Sequence, residues 1–284
     1  MARINIVCDD ANGGWIYSEF IKHFKELSGH TILINEKDQS KYDAVYYLPY
    51  YLYDKPTSKP CSAWFSHREE KQPLRDKFIS AGRQVDIAVS QSVRYMNVLQ
   101  NSGVKNIVQI KPGVDGFKPA HKEVIGKKLI VGNVGRNYKS SNRKNPGLLA
   151  KIAKLDWVDL RSTNGKLAAN QIPDFINSCH ICVSPSLQEG GPLITTQALA
   201  CAIPTLCYDD VGVAREFGYG VIKVPFNKED AFINRLYGFW KNKEWLEYRQ
   251  AENILKMTQQ VKEYSWDNFV ESHDKVFDQL MKGR

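Results

Sequence analysis

Short apolar runs recur along the chain, each followed by a break rich in Gly, Pro, Asn or Asp and then by a stretch with apolar positions every three or four residues. The uninterrupted runs are those of strands buried on both faces, and the spaced positions are those of amphipathic helices. Strands are predicted at 3–8, Thr31–Ile34, 44–48, Cys61–Phe65 and Ile87–Ser90, then at 128–134, 157–161, 181–183 and Thr205–Tyr208. Helices are predicted at 15–27, after Pro146, at 172–178 and 193–202, within 228–259, and in a last amphipathic segment that opens at Tyr264-Ser265-Trp266. Strand and helix in alternation make an α/β protein with doubly wound parallel sheets. The two series are separated by the Pro/Gly-rich run KPGVDGFKP, which predicts two Rossmann-like domains, 1–117 and 118–263, with a boundary near Phe117.

Composition adds that the chain is globular: 284 residues, 43% hydrophobic and 25% charged, suffice for two ordinary domains. There is no apolar run of about 18 residues, and MARINIVCDD runs straight into a strand without a leader's apolar core, so a cytoplasmic protein is expected. Cys8, Cys61, Cys179, Cys182, Cys201 and Cys207 sit in or beside apolar segments, as reduced core thiols do. Cys179 and Cys182 form a lone C-x-x-C with no second ligand pair, which favours packing over metal binding. The tyrosine- and proline-rich stretch 46–60 reads as the end of a strand followed by an exposed loop.

Charge changes the picture more. Up to Phe117 there are 15 Lys+Arg against 13 Asp+Glu; from Lys118 to Trp157, 10 against 2; beyond that, 14 against 16. The whole net charge of +8 therefore lies in one 40-residue stretch, and a polyanionic ligand belongs near it. That stretch contains Gly135-Arg136 just after a predicted strand, and Arg143-Lys144 several residues on. A second candidate lies at SPSLQEGGPLITTQALACAIPTLCYDDVGVARE, from Ser184 to Glu216. It is a strand, a turn containing Glu189, Gly190, Gly191 and Pro192, and a helix from Leu193. The start of a helix offers unpaired N–H groups and the positive end of its dipole, a seat for phosphate. Asp9 to Gly14 is a third turn of this sort, with Gly13 and Gly14 before a helix, although it is not G-x-G-x-x-G.

The order of these residues resembles the donor-site signature of the GT-B glycosyltransferases of the large retaining family that includes glycogen synthases and bacterial mannosyltransferases (glycosyltransferase family 4-like, group 1). Its pattern, P-S-x-x-E-G-x-G-x-x-x-x-E-A-x-A-x-G-x-P, is matched by Pro185, Ser186, Glu189, Gly190, Ala198, Ala200 and Pro204. Gly191-Pro192 stands where the family has aromatic-Gly, Gln197 replaces its second glutamate, and Ala202 replaces a glycine. Residues 88–119 resemble the family's exit from its first domain, and Gly212 to Glu216 part of its G-G-x-x-E turn.

The resemblance implies two Rossmann-like domains facing a central cleft, with the last helix, about 264–284, crossing back to the first domain. It implies transfer of a sugar from a nucleoside diphosphate sugar, UDP or GDP being the expected nucleotide, to an acceptor hydroxyl with retention and without a metal ion or other cofactor. Arg136 and Lys144, with Arg143 as a possible substitute, would neutralise the diphosphate. Glu189 and the amides of Gly190 to Leu193 would hold sugar and phosphate, Gln197 the ribose, and Gly13-Gly14 would face the donor. His67, at a strand's carboxyl end, would face the transferred sugar. The basic stretch suits an anionic acceptor: a lipid-linked saccharide at a membrane surface, to which the protein would be peripheral, or nucleic acid carrying modified bases. Two rival readings are a catalytically weak sugar-nucleotide-binding or regulatory protein, motivated by the neutral Gln197, and a dinucleotide-dependent oxidoreductase, for which the required G-x-G-x-x-G is absent.

Overall fold

The structure, a computed structural model, describes residues 1–9, 16–69, 72–120, 127–136, 142–191 and 193–283. The chain divides into two compact units, Met1–Gly113 with Tyr264–Arg284 and Val114–Glu263, so the division falls at Gly113, a few residues before Phe117.

Among the described residues, the first unit holds a six-stranded parallel sheet in the order β2-β1-β3-β4-β5-β6. Its strands are β1 (Arg3–Val7), β2 (Thr31–Ile34), β3 (Ala44–Tyr47), β4 (Cys61–Phe65), β5 (Ile87–Ser90) and β6 (Ile107–Gln109), with α1 (Ile16–Leu27), α2 (Leu74–Gln84) and α3 (Val93–Asn101) between them. β4, CSAWF, is buried at all five positions, as a central strand covered on both faces must be. Its side chains alternate between two cores: Trp64 points into one with Ile4, Ile6, Phe20, Phe24 and Tyr46, and Ala63 and Phe65 into the other with Phe78, Ala81 and Leu99.

The first of these cores is completed from the far end of the chain. α10 (Trp266–Lys282) begins at Ser265, whose side chain accepts from the Asn268 amide, and lays Phe269, Val270, His273, Val276, Phe277 and Leu280 into it. Phe269 is 1% exposed, with ring centroids 4.6 Å from Phe20, 5.4 Å from Phe24 and 5.4 Å from Trp266. At the start of the helix Gly113 is needed, because a Cβ there would stand 2.5 Å from the Trp266 backbone nitrogen. Asp274 accepts from Ser28 Oγ (2.6 Å) and from the Gly29 amide (2.7 Å), fastening the same helix to the end of α1.

His273 is fully buried in this helix. Nδ1 lies 2.8 Å from the Phe269 carbonyl, an acceptor only, so it carries the proton, and Nε2 accepts from the Tyr46 hydroxyl at 2.9 Å. Burial drives its pKa down from 6.5 to about 3. His180 in the second unit is lowered to about 4, first by burial and then by Arg249 and Arg161. In both cases the unfolded chain takes up a proton below about pH 6.5 that the folded chain refuses. Their contribution is complete above that pH and is lost as pH falls toward 4 for His180 and 3 for His273; the His273 part alone approaches about 1.4 kcal/mol per pH unit. The thermal midpoint, followed by circular dichroism, is expected to fall steadily from pH 7 to pH 5, and less steeply in His273→Gln. A flat midpoint over that range would refute the assignment.

The second unit carries five parallel strands among the described residues, ordered β11-β10-β9-β7-β8. They are β7 (Leu129–Asn133), β8 (Val158–Ser162), β9 (Ile181–Ser184), β10 (Thr205–Tyr208) and β11 (Val221–Val224); the helices are α4 (Pro146–Ile152), α5 (Ile172–Asn177), α6 (Leu193–Ala200), α7 (Glu229–Lys241), α8 (Trp245–Tyr248) and α9 (Ala251–Gln259). In β9, Ile181 and Val183 face the core of α4 and α7, while Cys182 faces that of α5 and α6. All six cysteines are buried thiols.

The stretch 228–259 is helical as expected, in three helices, with Lys243 at a left-handed φ of 52° between the first two. Two details differ from the sequence-based expectation. β11 was not anticipated. The tyrosine-rich segment is not an exposed loop throughout: Tyr50 and Tyr53 are 1% and 4% exposed, and Tyr50 stacks on Phe65 at 5.1 Å. Three aromatic neighbours in that core, Phe65, Phe78 and Tyr51, supply the burial that turn-forming prolines conceal.

Candidate active site

In a parallel sheet ligands meet the carboxyl ends of the strands, and the second unit gathers its charged residues there. Asn133 ends β7, donating from Nδ2 to the Val183 carbonyl of β9 at 3.1 Å. The chain then turns through Gly135, with φ 144°, whose amide donates to Thr163 Oγ1 at 3.1 Å. Arg136 follows and runs over Gly165, where an added Cβ would lie 2.4 Å from Arg136 Cγ. Gly165, at φ 71°, thus serves as the bare surface on which the arginine lies.

Arg143, Lys144 and Asn145 form the next approach. Asn145, left-handed with φ 50°, caps α4 by accepting from the Leu148 amide, and Pro146 occupies the first helical turn. The Leu187 amide donates to the Arg143 carbonyl at 2.8 Å, tying this segment to the loop after β9. That loop carries Glu189, only 7% exposed. Glu189 Oε1 accepts from Arg143 Nη1 at 2.9 Å, and the same oxygen is bonded to Lys144 Nζ. Arg143 is likewise 7% exposed, so this is a buried carboxylate held between two cations. The Gly212 backbone, in the 3₁₀ turn Gly212–Glu216, lies against the backbone of Glu189 and Gly190: a Cβ on Gly212 would come within 2.2 Å of the Gly190 carbonyl oxygen.

Charge counting defines what the site lacks. Arg143 and Lys144 bring two positive charges to the single carboxylate of Glu189, and Arg136 lies on the adjoining turn. Lys144 Nζ stands 4.0 Å from where a Cβ of Gly135 would be, which brings it to the turn bearing Arg136. Gln197 sits one turn into α6, and its Oε1 is buried without a hydrogen-bond partner among the described residues; so is Gln188 Oε1, next to Glu189. Each is an acceptor in need of a donor. Ala202 takes φ 55° where a glycine would do so without strain.

His67 belongs to the first unit, just past β4. Nε2 is 2.8 Å from Glu69 Oε1 and Nδ1 is 2.9 Å from Ser66 Oγ; a carboxylate only accepts, so Nε2 carries the proton and Ser66 donates to Nδ1. Gly13, Gly14 and Pro192 lie outside the described residues. Among the residues proposed from the sequence for the second unit, the structure brings Arg143, Lys144, Glu189 and Gly190 together, with Arg136 on the adjoining turn. Gly165 and Gln188 were missed. Nothing local in the sequence pairs Gly165 with Arg136; Gln188 carried the weaker signal of lying in the turn beside Glu189.

Two parallel α/β units, the second with a cationic cradle at the carboxyl ends of its strands, are the GT-B arrangement of a glycosyltransferase. The family model described as glycosyl transferases group 1 matches residues 128–266, nearly all of the second unit, and that unit is a group 1 glycosyl transferase domain. No curated protein sequence matches it. Among solved structures it is similar to a sucrose-phosphate synthase from Thermosynechococcus elongatus (TM-score 0.75, 11% identity, 100% of each chain covered). It is also similar to a glycosyltransferase from Rickettsia africae (0.69, 14%, 100% of this chain and 99% of that) and to Anabaena HepE in complex with UDP and glucose (0.67, 9%, 100% of each). At such identities the likeness is one of fold.

Proposed function

We propose that the chain transfers a sugar from UDP- or GDP-sugar to a hydroxyl group of an anionic acceptor, with retention of anomeric configuration and without a metal ion. The observation that supports the reading is the convergence of two cations, Arg143 and Lys144, on the buried carboxylate of the Glu189 turn. In the transfer the bond from the sugar's anomeric carbon to the diphosphate oxygen breaks, its electron pair stays on the diphosphate, and the anomeric carbon bonds to the acceptor oxygen, whose proton is released. Charge grows on the leaving diphosphate, and Arg136 and Lys144, fixed beforehand, stabilise it as it develops. Those side chains supply the positive charge that a divalent cation would otherwise bring. Gln197, with its buried unpaired oxygen, accepts from a ribose hydroxyl. A uridine nucleotide is the first to test, because HepE, of the same fold, is recorded with UDP and glucose.

Thermal unfolding with UDP, GDP, ADP, dTDP and NAD in large excess tests this. A ligand at about 100 times its Kd adds roughly 2.7 kcal/mol, and the midpoint is expected to rise by several degrees with one nucleoside diphosphate, equally in the presence of EDTA, and not with NAD. Arg136→Ala should lose most of the rise. No shift with any nucleoside diphosphate would overturn the reading.

A further inference from the structure

The opposite end of the second sheet, where its strands begin, carries a feature that the donor site does not use. Trp157 immediately precedes β8, and its carbonyl accepts from the Leu129 amide at 2.8 Å. Its ring stacks on Trp240 of α7 at 5.3 Å, with Tyr237 packed edge-on to it at 5.5 Å. Trp240 Nε1 donates to the Lys127 carbonyl at 3.4 Å, which draws the Lys127-Lys128 pair to the aromatic cluster. Lys241 Nζ lies 5.9 Å from the Tyr237 ring, and the Lys243 amide donates to the Trp240 carbonyl at 3.1 Å. One turn later the Leu246 amide donates to the Lys243 carbonyl at 3.0 Å, with Leu246 53% exposed; Tyr237 is 42% exposed.

Lys127, Lys128, Lys241 and Lys243 are all exposed, in segments whose backbones adjoin the half-exposed aromatic rings, and Leu246 is exposed one turn beyond Lys243. Among the described residues the carboxylates of these segments are fewer. Glu244 is bonded through both oxygens to Arg235, leaving Asp156 and Glu247 against the four lysines. Trp and Tyr with an apolar body and a polar edge, Lys in the adjoining segments and an exposed aliphatic side chain one turn away are the chemistry of the boundary between lipid headgroups and acyl chains. A nucleic acid would use the charges and leave Leu246 with no role. The five residues of β8 put this face roughly 17 Å from the carboxyl ends of the strands, so an occupant here leaves the Glu189 turn clear.

We propose that the face formed by Trp157, Tyr237, Trp240, Leu246 and the four lysines docks the protein on an anionic lipid bilayer. This surface is independent of the donor reading. Among the described residues no helix is long and apolar enough to cross a membrane, so the contact is with the surface alone. The test is cosedimentation of the full chain with vesicles of phosphatidylcholine containing about one third phosphatidylglycerol, against phosphatidylcholine alone, from low to physiological salt. Binding is expected only to the anionic vesicles, weakening with salt; each lysine is worth roughly fivefold near such a surface. Lys127→Glu with Lys128→Glu should therefore weaken binding by well over tenfold at an unchanged thermal midpoint, and Leu246→Ser by several-fold. Failure to bind anionic vesicles at low salt, or equal binding by the double variant, would overturn the proposal. So would a concentration-dependent dimer that Leu246→Ser dissociates, or duplex DNA binding that survives Leu246→Ser while vesicle binding is absent.

Discussion

Glu189→Gln is expected to destabilise the free protein by about 3 kcal/mol and to make its stability depend on nucleotide far more than the wild type's does. The carboxylate lies between Arg143, as buried as itself, and Lys144. Removing its charge leaves two neighbouring cations uncompensated in a site that water reaches poorly, and breaking a buried pair in this way costs about 3–5 kcal/mol. A glutamine of the same shape returns part of the hydrogen bonding, hence the lower figure. With the carboxylate neutral, Arg143 and Lys144 lose their shared counter-charge, so a diphosphate can supply it and UDP should raise the variant's midpoint by more degrees than it raises the wild type's. Glycosyl transfer should nevertheless drop by about a hundredfold, as when one preorganised polar contact to the reacting group is lost. Calorimetry with and without UDP decides the matter: an unchanged midpoint in the free variant would mean that Glu189 does not neutralise these cations.

Phe269→Ala is expected to cost about 3–5 kcal/mol and to lower the midpoint of the first unit by roughly 10 °C. Its ring sits among Phe20, Phe24, Trp64, Trp266 and His273, and no smaller side chain fills the space. The control is Lys275→Ala on the outer face of the same helix, where an exposed pair with Glu271 contributes little. A circular dichroism melt in which both variants behave alike would show that α10 is not seated as described.

The strands legible in the sequence are those whose residues are nearly all apolar, such as Ile87–Ser90 and Cys61–Phe65 with one serine each, because a strand covered on both faces needs no partner to reveal its pattern. β11, VIKV, escaped notice because Lys223 interrupts it at the edge of the sheet and its amino group reaches the Phe217 carbonyl. The helix after His67 is polar along most of LRDKFISAGRQ, and only Phe78, Ala81 and Gly82 are buried. Tyr50 and Tyr53 show the opposite limit: prolines on either side mark a loop, while burial comes from Phe65 and Phe78, distant in the chain. At the candidate site the charged residues were legible from their places in a motif. What was not legible is how they meet. Arg143 and Lys144 share one carboxylate oxygen, and this depends on a left-handed Asn145 and on the Leu187 to Arg143 backbone bond, neither of which has a local pattern.

The seating of α10 also sets an order of events during synthesis. Residues 264–284 leave the ribosome after every residue of the second unit, yet the hydrophobic layer begun by Ile4, Phe20 and Phe24 is closed by Phe269, Val276 and Phe277. The second unit is one continuous stretch and is free to fold while translation proceeds. The first, although made first, must wait with an apolar sheet face uncovered for the time needed to make some 150 further residues, at about 5–20 residues per second, so for about eight to thirty seconds a nascent chain presents a surface that chaperones recognise.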